Sequence, residues 1–173
     1  EEYAVLLASA LATRLLAKNR AIGLATYDVS PTILPSQKGA QQHWRILSAL
    51  AELSAESTVP LKSGLGDIQQ VLSRGSSLIL LTPNPTVEWV SNLLDLSRKQ
   101  IKITVILLGR ESFHADDSAD LTLSPLRDHL QQIGFKAEIV QKGDISLPDA
   151  YTEEQSEFKV TPMGRAIRIN PNG

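Results

Sequence analysis

Short apolar runs alternate with amphipathic stretches along most of this chain, and that alternation limits the fold more than any other feature. The runs Ala21–Tyr27, Ser77–Thr82, Ile101–Leu108 and Lys136–Val140 are rich in Leu, Ile and Val, and the first three lack a clean polar alternation. Such runs mark strands buried on both faces, which favours a parallel sheet over an antiparallel one. The segments between them carry helical spacing. Trp44, Leu47, Leu50 and Ala51 fall on one face, then Leu65, Ile68, Val71 and Leu72, then Trp89, Val90, Leu93, Leu94 and Leu96 within Val87–Lys99. Strand and helix succeeding one another at this interval predict an α/β fold with a mostly parallel sheet, right-handed crossovers and helices on both faces, in three layers.

Punctuation residues place the element ends. Residues 3–17 form a helix with Leu7, Leu11 and Leu15 on one face and small apolar residues beside them, so the helix is expected to be mostly covered. Glu1 and Glu2 suit its positive end, Arg14 and Lys18 its negative end, and Asn19 its stop. Asp28 to Pro31 supplies turn chemistry, and Thr32–Pro35 reads as a short antiparallel edge strand, where proline is tolerated. Gly75 and Gly134 end helices, and Ser124-Pro125 begins one with favourable N-cap and N1 residues. Residues 1–145 therefore read as one α/β domain. Residues 146–173, with Pro148, Pro162 and Pro171, read as an extension of the same domain that carries a hairpin between Phe158-Lys159-Val160 and Ala166–Ile169.

Composition serves mainly to exclude. The 173 residues contain no cysteine, which removes disulfides, thiolate metal sites and a cysteine nucleophile. Seventeen Lys+Arg against nineteen Asp+Glu leave a net charge of −2, without the basic excess of a nucleic-acid footprint. No window approaches the roughly 18 apolar residues of a membrane span, so this segment is not expected to contact a membrane. The chain opens on Glu1 rather than Met and runs directly into a helix, which suggests a piece of something longer. The expected location is the cytoplasm, with an anchor, if there is one, in a preceding part.

Catalytic patterns are weak throughout. His43, His114 and His129 lie far apart and no pair has zinc-helix spacing, so solvent-exposed roles are expected. Ser76, Ser77 and Ser112 sit in no nucleophile-elbow pattern. His114–Asp120 is acidic but lacks the alternating ligand spacing of a calcium loop, and reads as a solvated loop. Gly64-Leu65-Gly66-Asp67 lacks the strand and the further glycine of a phosphate loop, and is expected to start a helix with Ser63 or Asp67 as cap. Trp44 and Trp89 are expected in the core. Thr82-Pro83-Asn84-Pro85 closes a strand at its carboxyl end, where open α/β sheets place their ligand crevices; the same residues also read as a plain strand-to-helix turn with Thr86 as N-cap.

Several of these stretches together resemble a prokaryotic family called domain of unknown function 58, whose members have a von Willebrand factor A-like (Rossmann-like) fold. The resemblance lies in Tyr3-Ala-Val-Leu-Leu-Ala-Ser-Ala-Leu-Ala, in Ala21-Ile-Gly-Leu-Ala-Thr-Tyr, in Leu34-Pro35 with Gly39, and in Ile46-Leu-Ser-Ala-Leu-Ala-Glu-Leu, in that order. The Ser77–Thr82 strand and Gly143-Asp144 also fit. The match is one of apolar and turn residues over residues 1–145, entered just after the family's first strand. Such domains hold a divalent cation through an Asp-x-Ser-x-Ser motif, a Thr and an Asp. The resemblance aligns Thr58 with the Thr and places Thr82-Pro83-Asn84 where the Asp would stand, with Asn84 as its neutral replacement; the Asp-x-Ser-x-Ser motif has no counterpart here. No cofactor is therefore expected, unless upstream residues supply ligands for a cation such as magnesium.

The resemblance implies a non-enzymatic protein-interaction module whose loops at Thr58, Thr82 and Asn84 meet a partner. Genes of that family often neighbour MoxR-type AAA ATPases, which makes such an ATPase the expected partner, in assembly or maturation of other proteins. A small-molecule or nucleotide-binding domain with a crevice near Gly64, Thr82 and Asn84, and a structural domain of a membrane-anchored protein, are the alternatives. In the family's strand order the first strand lies between Ala21–Tyr27 and Ser77–Thr82. Either those strands pair directly here, or residues 158–169 or another chain fills the gap, which also admits a homo-oligomer joined through the sheet edge.

Overall fold

The computed structural model describes residues 2–28, 30–54, 59–109, 123–141 and 144, with the backbone of 158–160 and 166–168. Two compact units divide it, Glu1–Gln141 and Lys142–Gly173. In the second unit β6 (Phe158–Val160) pairs antiparallel with β7 (Ala166–Arg168), matching the expected hairpin. The expected acidic loop at His114–Asp120, Ser112 and the proline-rich positions of the tail lie outside the described residues.

The first unit is α/β, and its strands form two separate sheets. In chain order its elements are α1 (Glu2–Ala17), β1 (Ile22–Tyr27), β2 (Pro31–Gln37), α2 (Ala40–Ala51), α3 (Leu61–Val71), β3 (Ser77–Thr82), α4 (Val90–Arg98), β4 (Lys102–Leu108), α5 (Leu123–Gln132) and β5 (Lys136–Val140). Strands β3, β4 and β5 make a parallel sheet in that order, with Leu80 beside Val105 and Val105 beside Ala137. Strands β1 and β2 make an antiparallel ribbon, interrupted by a bulge between Ile22 and Leu24. No hydrogen-bonded ladder joins β1 to β3 among the described residues, so the direct pairing does not form.

Local chemistry explains the ends. Asn19 takes a left-handed φ of 55°, and the N–H of Arg20 returns to the Leu15 carbonyl, closing α1 as its sequence predicts. Gly134, at φ 93°, closes α5 in the same way, with the Phe135 N–H on the Leu130 carbonyl. Helix α5 starts one residue before the expected Ser124 cap.

Packing divides as the sheets do. One core gathers Leu65, Trp89, Leu93, Leu96, Val105, Leu107, Leu126, Leu130 and their neighbours from α3, α4, α5 and the parallel sheet. A second gathers Ala12, Ile46 and Leu50, flanked by half-buried residues of α1, β1 and β2. In β4, Ile103, Val105 and Leu107 are buried while Thr104 and Ile106 are half-buried. One face of the sheet is thus sealed by helices and the other is only partly covered.

Two expectations about helix faces are corrected. Helix α1 is not mostly covered: Ala12 alone is buried, and Leu6 is 38% exposed. Its apolar face is wider than the ribbon, α2 and β3 can cover. Trp44 is not in the core but 72% exposed, because α2 turns the row Gln42, Ile46 and Leu50 inward and leaves Trp44 off that row. Trp89 is buried as expected.

Candidate functional site

Three places in the first unit carry polar chemistry: the carboxyl end of β3, the contact of β1 with α3, and the tip of the β1–β2 ribbon. At the first, β3 ends in Thr82, which is buried, followed by half-buried Asn84. The Asn84 N–H donates to Thr82 Oγ1 at 3.1 Å, and Asn84 Oδ1 accepts from the Thr86 N–H at 2.9 Å. Both side chains therefore brace their own turn, an arrangement that short polar residues adopt locally. Thr86 is not the N-cap; α4 begins at Val90, with Trp89 in the cap position and no side-chain cap bond. Thr58 lies outside the described residues.

At the second place the glycine pair proves to be interior to α3. The helix starts at Leu61 with Pro60 as cap residue, so neither Ser63 nor Asp67 caps it. Gly64 is buried because the Tyr27 ring lies over it: a Cβ at residue 64 would come within 2.9–3.1 Å of three ring carbons. The Tyr27 hydroxyl donates to the Gly64 carbonyl at 2.8 Å. Burial, reinforced by the nearby Asp67 carboxylate, raises the Tyr27 pKa above its ordinary value. Gly64 thus serves a close contact, not a phosphate.

The third place is a shallow open cavity of about 130 Å³ lined by Thr26, Asp28, Ser30, Thr32 and Glu52, among others. The Asp28 carboxylate accepts from the Ser54 N–H at 2.8 Å and from the Ser54 hydroxyl at 3.0 Å, tying the end of β1 to the end of α2. Pockets for drug-sized ligands usually measure about 300–1,000 Å³, so this cavity suits at most a very small polar molecule. Sequence reasoning took Asp28 only as a turn residue; an acidic side chain closing an apolar strand is the one signal that pointed to it.

No group of three or more His, Asp or Glu residues that could hold a metal occurs among the described residues. His43 Nε2 shares a 2.8 Å hydrogen bond with Thr13 Oγ1, which links α2 to α1, and His129 is exposed on α5. Among the described residues no helix is long and apolar enough to cross a membrane.

Gln42 is a polar residue that sequence reasoning missed. It is buried, and its Nε2 donates to the Ile22 carbonyl at 2.7 Å and to the Pro35 carbonyl at 3.0 Å. One side chain therefore satisfies both strands where the ribbon's register shifts. Comparison of the chain with protein-family models, curated proteins and solved structures finds no match.

Proposed function

We propose that the chain is a non-enzymatic protein-interaction module of the von Willebrand A-like kind, related to domain of unknown function 58. The observation that carries this reading is a surface, not a pocket. Apolar residues remain partly exposed on α1 and β3, which pack on one another: Leu6 and Ile79 are each more than a third open, and no residue of the neighbouring β1 is fully buried. Apolar side chains left open on elements that pack together support a site of protein contact. The loop at Thr82 and Asn84, with its polar groups spent on its own turn, supports a shaping role over a coordinating one.

The partner this reading favours is a MoxR-type AAA ATPase, a choice that rests on the sequence resemblance. The test immobilises the chain and measures binding of the purified MoxR-type ATPase from the same genome, with Ile79→Lys, Asn84→Ala and Thr58→Ala variants alongside. Loss with Ile79→Lys and retention with Asn84→Ala supports the apolar surface. Absence of binding by the unaltered chain removes the ATPase. The small-molecule alternative gains no support from a cavity of about 130 Å³.

A further inference from the structure

Parallel strands begin at one end of their sheet, so β3, β4 and β5 share an amino-terminal rim. Each is entered through a short turn from the end of a helix: residues 72–76 from α3, 99–101 from α4 and 133–135 from α5. All three turns lie within the described residues. The Lys102 N–H donates to the Ser76 carbonyl at 3.0 Å, which sets the turn before β3 beside the start of β4. The register then pairs Lys136 with Thr104, so β5 begins beside β4, two residues further in.

This rim gathers basic side chains on a chain whose net charge is −2. Arg74, Arg98, Lys99, Lys102 and Lys136 are all exposed there. The nearby carboxylates are few. Asp95 pairs with Arg98 at 2.9 Å, Asp128 pairs with Arg127 a turn back on α5, and Glu138 stands two residues beyond Lys136 along β5. Cations are favourable at helix carboxyl ends, which accounts for Arg98 and Lys99 at the end of α4. It does not account for Lys102 and Lys136, which belong to strands. Residues alternate between the faces of a strand, and Ile103, Val105 and Ala137 are the buried ones. Lys102, Thr104 and Lys136 therefore share the opposite, more open face. Ile79, 39% exposed, pairs with Thr104 and completes the row Ile79, Thr104, Lys136 on it.

We propose that this rim docks an acidic segment of a partner polypeptide, with Lys102 and Lys136 meeting its carboxylates, Ile79 meeting an apolar side chain, and Arg74 and Lys99 at the flank. The proposal deepens the protein-interaction reading and rests on it. Charge complementarity identifies the partner, because opposite fields steer encounter and like charges reject the wrong one. An exposed isoleucine among the cations suits a polypeptide with mixed side chains. Nucleic acid fits less well, since its binding is carried by phosphate contacts that a net charge of −2 opposes.

The test is fluorescence anisotropy of a labelled peptide of glutamate and leucine, about twelve residues long, titrated with the full chain. A twin peptide with glutamine for glutamate, an oligouridylate of equal length and phosphatidylserine vesicles are run beside it. The expected result is saturable binding of the acidic peptide that weakens about tenfold between about 50 and 200 mM salt, as contacts between exposed charges do. The twin should not bind. Lys102→Glu with Lys136→Glu should weaken binding at least tenfold, whereas Lys38→Glu, a cation before α2, should stay within twofold. Circular dichroism checks the folding of each variant; if the strand pair unfolds, Arg74→Glu with Lys99→Glu, confined to the turns, should give the same loss. No saturable binding by the unaltered chain overturns the proposal, as does an equal loss in Lys38→Glu. Tighter binding of the oligouridylate or the vesicles also overturns it, because the occupant is then of another class. A chain that binds the ATPase equally well with Lys102→Glu and Lys136→Glu keeps the interaction reading and loses the rim; one that binds the acidic peptide through the rim but not the ATPase keeps the rim.

Discussion

The Tyr27 hydroxyl donates a 2.8 Å hydrogen bond to the Gly64 carbonyl while its ring lies flat against the glycine, a contact across thirty-seven positions of sequence. It ties the last residue of β1 to a helix of the parallel-sheet half. Replacing Gly64 by alanine should therefore destabilise the chain. An exposed helical glycine gains about 1 kcal/mol from that change. Here the new methyl meets Tyr27, and overpacking of this sort costs about 1–3 kcal/mol. Urea unfolding of Gly64→Ala, Tyr27→Leu and the pair measures it: the double variant should be less damaged than the two single losses added together.

The same tyrosine sets an alkaline limit. Its pKa is raised in the folded chain, by burial first and by Asp67 second, relative to 10.0 when unfolded. The folded state thus holds the proton more tightly. Stability from this source is complete below pH 10 and falls as the pH climbs from 10 through the folded value. Thermal midpoints followed from pH 9 upward should drop less steeply in Tyr27→Phe than in the unaltered chain. Asp67→Asn should lower the phenol's titration midpoint towards 10, read by tyrosinate absorbance.

Leu93 and Trp44 should respond in opposite ways to truncation. Leu93 is fully buried in the larger core, so Leu93→Ala should cost about 2–5 kcal/mol through lost transfer energy and a residual cavity. Trp44 is mostly in water, and Trp44→Ala should change stability by less than about 0.5 kcal/mol. Denaturant midpoints of the two variants settle it; a large loss at Trp44 would mean the helix is rotated from the orientation seen here.

Gln42→Ala should unpin the bulge. The carbonyls of half-buried Ile22 and exposed Pro35 lose their donor, and with water able to replace the amide each lost bond should cost about 0.5–1.5 kcal/mol. Gln42→Glu should be worse, since a carboxylate brings negative charge to two acceptors. Chemical denaturation, with exchange at the β1 amides, reports both effects.

The parallel sheet was legible from sequence because β3 and β4 are runs of Leu, Ile and Val, β5 ends in Ile139-Val140, and helices with clear apolar rows separate them, as at Leu93 and Leu96. Asn19 and Gly134, both with positive φ, also marked their helix ends correctly, whereas α3 stops at Val71, four residues before the expected Gly75, because Leu72 already turns extended. The failures share a cause. Trp44 and the broad face of α1 were assigned to the interior on hydrophobicity alone, but hydrophobicity states what a residue prefers, not whether a neighbour exists to cover it. The role of Gly64 depends on Tyr27, and that of Gln42 on two strands; no local pattern encodes such distant partners. The Thr82 and Asn84 rim was visible as a strand end, whereas its self-contained hydrogen bonding was not.

The two separate cores have a thermodynamic corollary. Cooperativity is only as strong as the contacts that cross between halves, and among the described residues these include α1 lying on β3 and the Tyr27–Gly64 bridge. The ribbon with α1 and α2 should therefore open as a subglobal unit at lower free energy than the parallel sheet with its three helices. In a melting experiment the first unit would behave as two coupled calorimetric blocks, with the Tyr27 phenol and the α1–β3 contact carrying the coupling.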